Sequence, residues 1–285
     1  MLEARLDVIF AQPVVPEKHR LHMFYHKDTY RELLILRAWI IQREKNNKLD
    51  ALDKWIRMVA TNRLTGHSPG FFSVYTLPPN QAVSRERQIL INTKRNQKPL
   101  YRNVKALIVK KTKSLIKDLN PTDIANVEAA SKKAIFILGD AANTKVIKNN
   151  TVQLTVTSPP FLDVVQYAKD NWMRCWFNGI DIKKIEKNIT MSKTIDEWMI
   201  KMYSVFQELY RITKKHGYVA FETGEVHLGK TQLEHHVLEM GSRAGFKCEH
   251  IIINEQQFTK TANIWGIKNN VKGTNSNRIV VFKKH

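Results

Sequence analysis

From about residue 133 onward, the chain alternates short apolar runs with segments whose apolar residues recur at helical spacing. The apolar runs that predict strands cover 134–138, 152–156, 218–221, 251–254 and 279–282, and the helical patterns cover 195–214 and 231–243. This alternation predicts an α/β fold with a mostly parallel, doubly wound sheet. The last two runs are joined by a long polar stretch without a helical pattern, which predicts an antiparallel pair at the sheet edge.

The first 130 residues show mainly helical patterns instead. Helices are predicted over 29–44, 52–59, 83–95 and 102–118. Asp28 is predicted to cap the first of them, because a carboxylate can accept the free backbone N–H groups at a helix start. Asn120-Pro121 is interpreted as a boundary. The predicted organisation is therefore a basic helical region over 1–130 and an α/β subdomain over 131–285.

The charge balance points to a polyanionic partner. The 285-residue chain has 46 Lys and Arg against 26 Asp and Glu, a formal net charge of +20. Proteins this basic most often bind nucleic acid. The alternative is compositional drift, since Lys, Asn and Ile are all abundant, but drift does not explain why acidic residues are so few.

The sequence also argues against membrane-spanning, secreted and metal-binding proteins. No apolar run approaches the ~20 residues that span a bilayer, and the start MLEARLDVIF has no secretion signal pattern. The two cysteines, Cys175 and Cys248, lack metal-ligand spacing, so no metal site is predicted. We therefore expect a cytoplasmic protein with reduced thiols.

The turn after the second apolar run carries the strongest chemical signal. The run 152–156 is followed by Thr157 and then Ser158-Pro159-Pro160-Phe161. Two prolines can simply end a strand, and Leu77-Pro78-Pro79-Asn80 provides a second case in this chain. Ligands of open α/β sheets, however, bind at the carboxyl ends of the strands.

These residue types suit the methylation of an exocyclic amine on a nucleobase. The nitrogen lone pair of such an amine is delocalised into the ring, so a site must hold the NH₂ group with acceptors. Ser158 Oγ and the Pro159 carbonyl can each accept one N–H bond. Phe161 can stack on a base that has been rotated out of the duplex.

Thr157-Ser158-Pro159-Pro160-Phe161 resembles the catalytic motif of S-adenosylmethionine-dependent DNA amino-methyltransferases, which modify cytosine N4 or adenine N6. The family pattern is Asp, Asn or Ser, then Pro-Pro, then an aromatic residue, and Ser in first position is similar to the N4-cytosine branch. The resemblance covers about 133–285 and implies a Rossmann-like methyltransferase sheet, S-adenosylmethionine as cofactor and catalytic roles for Ser158, Pro159, Pro160 and Phe161.

Two further segments extend the resemblance. Gly139-Asp140-Ala141 is similar to a family motif whose acidic residue lies near the cofactor adenine, so these residues and Thr157 are expected at the cofactor. The segment 217–224 resembles the core strand that follows the catalytic motif, and 63–81 and 258–270 resemble parts of a subgroup of bacterial modification methylases.

The expected contacts with double-stranded DNA come from two polar stretches. Lys and Asn reach phosphates and base edges, and Trp can stack. Solvated loops and a capped turn are the structural alternative. The predicted DNA-binding residues are Arg63, His67, Lys260, Asn263, Trp265, Lys268, Asn269, Asn270 and Lys272.

The family's glycine-rich cofactor turn, usually Asp-Pro-Phe-x-Gly-Ser-Gly after the first strand, has no counterpart here. The first two strands of the sheet and the pocket for the methionine end of the cofactor are therefore expected to be missing. We predict that a second polypeptide supplies them, which makes this chain one subunit of a split methyltransferase. The alternatives are a degenerate methyltransferase, a non-catalytic DNA-binding subunit, and a methyltransferase that acts on RNA or protein.

Overall fold

The computed structural model describes residues 1–16, 20–76, 82–159, 167–187, 192, 194–226, 231–255 and 276–285. The described chain divides into two compact units. The first unit comprises Met1–Ala134 and Tyr167–Asn188, and the second comprises Ile135–Gln166 and Ile189–His285. The chain is thus an α/β protein with a mainly helical N-terminal region, as predicted.

The first unit is built from helices. Their bounds are α1 Leu2–Phe10, α2 Lys27–Lys45, α3 Ala51–Thr61, α4 Arg85–Lys94, α5 Val104–Ile116, α6 Pro121–Ser131, α7 Tyr167–Phe177 and α8 Ile182–Glu186. The four predicted helices correspond to α2, α3, α4 and α5. Apolar residues at helical spacing bury one face of α2, α3 and α5 against a common core that includes Leu33, Leu36 and Ile56.

The structure corrects one prediction about helix starts and specifies another. The cap of α2 is His26, whose side chain accepts the backbone N–H of Asp28, rather than Asp28 itself. The boundary interpreted at Asn120-Pro121 is the start of α6, with Asn120 as the cap and Pro121 in the first turn. Proline fits this position because the first N–H groups of a helix have no partner within the helix.

Helix α7 packs in the first unit although it follows the Ser158 turn in sequence. Met173 and Phe177 are buried in the helical core. The Tyr25 hydroxyl oxygen lies 2.9 Å from Met173 Sδ, and Arg37 Nε donates to the Trp176 carbonyl at 2.8 Å. A single boundary near residue 130 therefore does not separate the two units. Helix α7 belongs to the first unit because its apolar face completes a core formed by earlier helices.

A buried carboxylate links three elements of this unit. Asp53, in α3, has a fully buried side chain. Its oxygens accept from Arg5 Nη1 at 2.6 Å, Arg43 Nε at 2.6 Å and Trp39 Nε1 at 3.1 Å. Since Arg5 lies in α1, and Trp39 and Arg43 lie in α2, this one side chain ties α1 and α2 to α3.

The second unit contains the sheet. Its elements are β1 Val152–Thr157, α9 Ile195–Ile212, β2 Thr213–Val226, β3 Thr231–Gln232, α10 Leu233–Arg243, β4 Lys247–Glu255 and β5 Ser276–Lys283. The strand order is β1-β2-β5-β4, with the short β3 paired to β2. β1 and β2 are parallel, and β5 is antiparallel to both β2 and β4. The antiparallel pairing predicted for the last two strands is confirmed.

The two described helices of this unit lie on the same face of the sheet. Phe206 of α9 packs against Phe221 and Phe282 with ring centroids 4.7 and 5.4 Å apart. On α10, the position of Gly241 leaves room for Phe282, since a Cβ there would lie 2.3 Å from its ring. Described helices therefore cover one face only, whereas a doubly wound sheet was expected to have helices on both.

The strand predicted over 134–138 was wrong. No strand or helix is assigned from Ala134 to Leu138. The side chains of Ile135, Phe136, Ile137 and Leu138 are 82%, 96%, 46% and 101% exposed. An extended segment becomes a strand only when a neighbour accepts its backbone hydrogen bonds, and none of the described strands pairs with this one.

A carboxylate on α9 holds the segment that precedes β1. Glu208 Oε1 accepts from Thr144 N and from Arg211 Nη2, both at 2.6 Å. The bond from Arg211, followed by those from Thr144, lowers the pKa of Glu208 from its ordinary 4.5 to about 2. The ionised form of Glu208 therefore stabilises the folded state.

This lowered pKa predicts an acid dependence of stability. The stabilisation by Glu208 is fully present above about pH 4.5 and is lost as the pH falls toward about 2, because the unfolded state binds the proton first. We expect the urea midpoint of Glu208→Gln to depend less on pH in this window than that of the parent chain. Glu239→Gln, at an exposed α10 position, is the control. Equal pH slopes for Glu208→Gln and the parent would contradict the assignment.

Candidate functional site

The Ser158 turn lies at the carboxyl end of β1. β1 ends at Thr157, which is paired with Phe221 of the parallel strand β2. Ser158 is exposed and Pro159 is buried. Since proline has no backbone N–H, the strand ladder cannot continue through Pro159. Ser158 is therefore exposed at the edge of the sheet where α/β proteins bind ligands. Pro160 and Phe161 lie outside the described residues.

A buried polar pair lies at the same edge of the sheet, and sequence reasoning missed it. Glu234, in the first turn of α10, pairs through Oε1 with Arg278 Nε of β5 at 2.9 Å. The two side chains are only 7% and 14% exposed. Arg278 is the strand partner of Thr223, which is fully buried two residues beyond Phe221. Two features of the sequence could have indicated this pair. They are an acidic residue at a helix start and a threonine in an apolar strand.

The second carboxylate oxygen of Glu234 takes no part in this ion pair. Glu234 Oε2 is buried and has no hydrogen-bond partner among the described residues. A buried acceptor without a donor costs about 1–3 kcal/mol. The carboxyl edge of the sheet thus contains an acceptor that can take one more donor.

The segment of Gly139, Asp140 and Ala141 is held against α9. Asp140 Oδ2 accepts from Lys201 Nζ at 2.7 Å, and Oδ1 accepts from the backbone N–H of Ala142 at 2.9 Å. The bond from Lys201 lowers the pKa of Asp140, so it is ionised at neutral pH. Gly139 and Ala141 are exposed, and no atom lies within 4 Å of a Cβ built on Gly139. Half of the Asp140 side chain remains open to solvent.

In the first unit, the loop after α3 brings Arg63 and His67 to one aromatic ring. The guanidinium of Arg63 lies 4.3 Å from the ring centroid of Phe71, and the ring of His67 lies 6.3 Å from it. Burial lowers the pKa of Arg63 below its ordinary value. Gly66 permits this arrangement, because a Cβ there would lie 2.3 Å from Phe71. His67 is exposed, and Arg63 Nε is buried without a hydrogen-bond partner among the described residues.

The other predicted DNA-binding residues lie outside the described part of the chain. They are Lys260, Asn263, Trp265, Lys268, Asn269, Asn270 and Lys272. The described ranges contain no cluster of three or more His, Cys, Asp or Glu side chains that could hold a metal ion. Within the same ranges, no helix is both long and apolar enough to cross a membrane.

Comparisons with known proteins give matches only among solved structures. No family model matches the chain, and no curated protein does. A Thermus thermophilus protein provisionally described as a DNA modification methylase, crystallised with S-adenosyl-L-methionine, matches 52% of this chain and 54% of its own at 18% identity and a TM-score of 0.33. A SAM-dependent methyltransferase from Methanosarcina mazei matches 59% of this chain and 79% of its own at 11% identity and a TM-score of 0.32.

A SAM-dependent methyltransferase from Thermotoga maritima is similar at 15% identity and a TM-score of 0.28, over 55% of this chain and 68% of its own. The chain spans about half the length of the Thermus structures that it matches. These scores are too low to show a common fold. The matched structures are methyltransferases by description, and the assignment of this chain depends on its own residues.

Proposed function

We propose that this chain is the catalytic and target-recognition subunit of a DNA methyltransferase that transfers a methyl group from S-adenosylmethionine to an exocyclic base amine. Cytosine N4 is favoured over adenine N6. The observation that carries the proposal is the exposed Ser158, which is followed by buried Pro159 at the carboxyl end of β1 beside the parallel strand β2. This is the position where an acceptor pair can hold an amine at the edge of the sheet.

The chain's own part in the reaction is to orient the amine. Ser158 Oγ accepts one N–H bond and the Pro159 carbonyl accepts the other, which directs the nitrogen lone pair toward the methyl donor. The amine, held in this way, would accept the methyl group at its nitrogen and lose one N–H proton to solvent. The cofactor, when bound, supplies an electrophilic methyl group. The preorganised acceptors contribute because they favour the developing positive charge on nitrogen.

The described residues fit only part of the cofactor. Gly139, Asp140 and Ala141 are the candidates for the adenine side, and Asp140 retains an exposed carboxylate beside Lys201. Among the described glycines, none lies in a glycine-rich turn that follows a strand. A methionine moiety needs such a turn because only glycine allows the backbone to approach closely.

This partial fit predicts weak cofactor binding by the chain alone. We expect calorimetry on the full chain to show no stoichiometric binding of S-adenosylmethionine at micromolar concentration. Addition of a polypeptide with one or two βαβ units and the glycine-rich turn should restore both binding and methyl transfer to duplex DNA. Tight binding by the isolated chain would show that the cofactor pocket is complete and that the split interpretation is wrong.

Double-stranded DNA is the proposed substrate because of the net charge of +20. Neutralisation of phosphates releases counterions, so the binding constant should fall linearly on a log–log plot against salt. A protein with six or more phosphate contacts loses about 10³-fold in affinity between ~50 and ~200 mM salt. Fluorescence anisotropy on a labelled duplex measures this slope. A flat plot would show that the charge is compositional drift.

The methylation assay that tests the function also separates its alternatives. The complex is incubated with labelled cofactor and either duplex DNA or RNA, and the modified base is identified by mass spectrometry. N4-methylcytosine in DNA supports the proposal. Methylated RNA alone identifies an RNA enzyme, and DNA binding without transfer identifies a non-catalytic subunit.

A further inference from the structure

One face of the sheet in the second unit carries exposed apolar side chains, and none of the described helices of that unit covers it. We call it the open face and define it by Leu154, Val156, Ala220, Val281 and Ile252. Cross-strand partners lie on the same face, and the register pairs Val156 with Ala220 and Ala220 with Val281. Phe221 and Phe282 alternate with these residues and point to the opposite face, where α9 and α10 pack.

The exposure of the open face is large for apolar side chains. Leu154 is 57% exposed, Val156 is 74% exposed and Ile252 is 48% exposed. None of the described helices of this unit packs on this face. Scattered apolar residues on a surface are normal, but Val156, Ala220 and Val281 form a contiguous apolar row across three strands, with His250 next to it on β4. A contiguous apolar patch of this kind marks an interaction site.

The edge of the sheet next to this face is also unpaired. β1 is the terminal strand, and none of the described strands hydrogen-bonds to its outer edge. Such an edge presents a row of unpaired backbone donors and acceptors, which is a template for another strand. β1 has no proline and no charged residue within Val152–Thr157 that would block addition of a strand.

The same unit contains a second exposed apolar segment. Ile135–Leu138 belongs to the same unit, is exposed at four consecutive apolar residues and forms no secondary structure. Its composition is that of a buried strand, yet it has no strand to pair with among the described residues. An added strand would provide the missing neighbour for an extended segment of this kind.

We propose that the open face and the outer edge of β1 form the docking surface for a second, different polypeptide. This partner adds a strand to β1 and packs an apolar helix face against Leu154 and Val156. The inference rests on the proposed function in one respect, namely that the partner is the polypeptide with the glycine-rich cofactor turn. A second copy of this chain is disfavoured because each copy carries a net charge of +20, and like charges oppose association.

Photocrosslinking from the open face tests the proposal in the source cells. A benzophenone amino acid replaces Val156 in the full chain, and a matched chain carries it at Ile200 of α9. The two sites have similar exposure, 74% and 72%, so both tolerate a large side chain. We expect position 156, but not position 200, to crosslink to a polypeptide whose sequence contains a glycine-rich turn after a strand.

Every other crosslinking result overturns the inference. A crosslink from position 156 to another copy of the chain, to the chain's own first unit or to a polypeptide without that turn identifies a different occupant. Absence of any crosslink, or equal capture from both positions, shows that the open face is not a specific docking surface.

A substitution provides the second measurement. Val156→Lys should reduce recovery of the partner by about tenfold or more, since it places a charge where an apolar side chain would be buried. Ile200→Lys should leave recovery unchanged. Binding of the partner is measured without cofactor or DNA, so the test of the docking surface does not depend on methyl transfer. A complex that forms through Val156 but transfers no methyl group overturns the proposed function alone, and an active complex that is insensitive to Val156→Lys overturns the docking surface alone.

Discussion

Ser158→Ala is expected to lower the rate of methyl transfer by about 10²-fold, measured under saturating cofactor and DNA on the complex with the polypeptide that supplies the cofactor turn. The hydroxyl is one of two acceptors assigned to the target amine, and its loss leaves one N–H of that amine unpaired in the site. Ser158 is exposed at the end of β1, so the substitution removes no buried contact. The affinity for DNA should remain nearly unchanged.

Two further variants make this prediction specific. Ser158→Asn retains a side-chain acceptor at the same position and should recover a measurable part of the activity. Ser204→Ala removes a hydroxyl from α9, where it donates only to the backbone carbonyl of Ile200, and should be as active as the parent. A Ser158→Ala complex with parental kcat would remove Ser158 from the catalytic assignment.

Asp53→Ala is expected to destabilise the first unit by about 3 kcal/mol, the lower end of the range for removal of one partner from a buried ion pair. The carboxylate is fully buried and accepts from Arg5, Arg43 and Trp39. The lower end applies because the two guanidinium groups are about a quarter exposed and regain some hydration. Urea unfolding, followed by tryptophan fluorescence, measures the change.

An exposed carboxylate of the same unit is the control. Asp7 pairs with Lys105, and its side chain is 63% exposed. Exposed pairs contribute about 0–1 kcal/mol, so Asp7→Ala should shift the unfolding midpoint little. Equal shifts for Asp7→Ala and Asp53→Ala would mean that Asp53 does not organise the helical core as its contacts indicate.

Most helices and strands were predictable because their signals are local. Helical sequence patterns predicted α2, α3, α4, α5, α9 and α10, and apolar runs predicted β1, β2, β4 and β5. Gly245 follows α10 with φ +104°, as expected for a glycine that ends a helix. Each of these signals depends only on residues within a few positions of one another, which is the distance over which sequence patterns are informative.

The candidate site was predictable only in part. The turn at Ser158 could be recognised because its residue types and their order carry the chemistry. Glu234 and Arg278 could not be recognised in this way, since they are 44 positions apart in sequence and the chain reverses direction between β4 and β5. Their pairing depends on the register of β2 with β5. No local pattern reports that register.

The sequence by itself therefore determined the types of most elements, the mainly helical N-terminal region and the position of Ser158 at the end of a strand. Tertiary structure decided which unit α7 joins, which face of the sheet α9 and α10 cover and whether 134–138 becomes a strand. The reason is that a local pattern states what a segment can bury or pair, whereas the outcome depends on whether a neighbour is present. Ile135–Leu138 has the composition of a strand and stays unpaired among the described strands, because strand formation requires hydrogen bonds that only a second strand can provide.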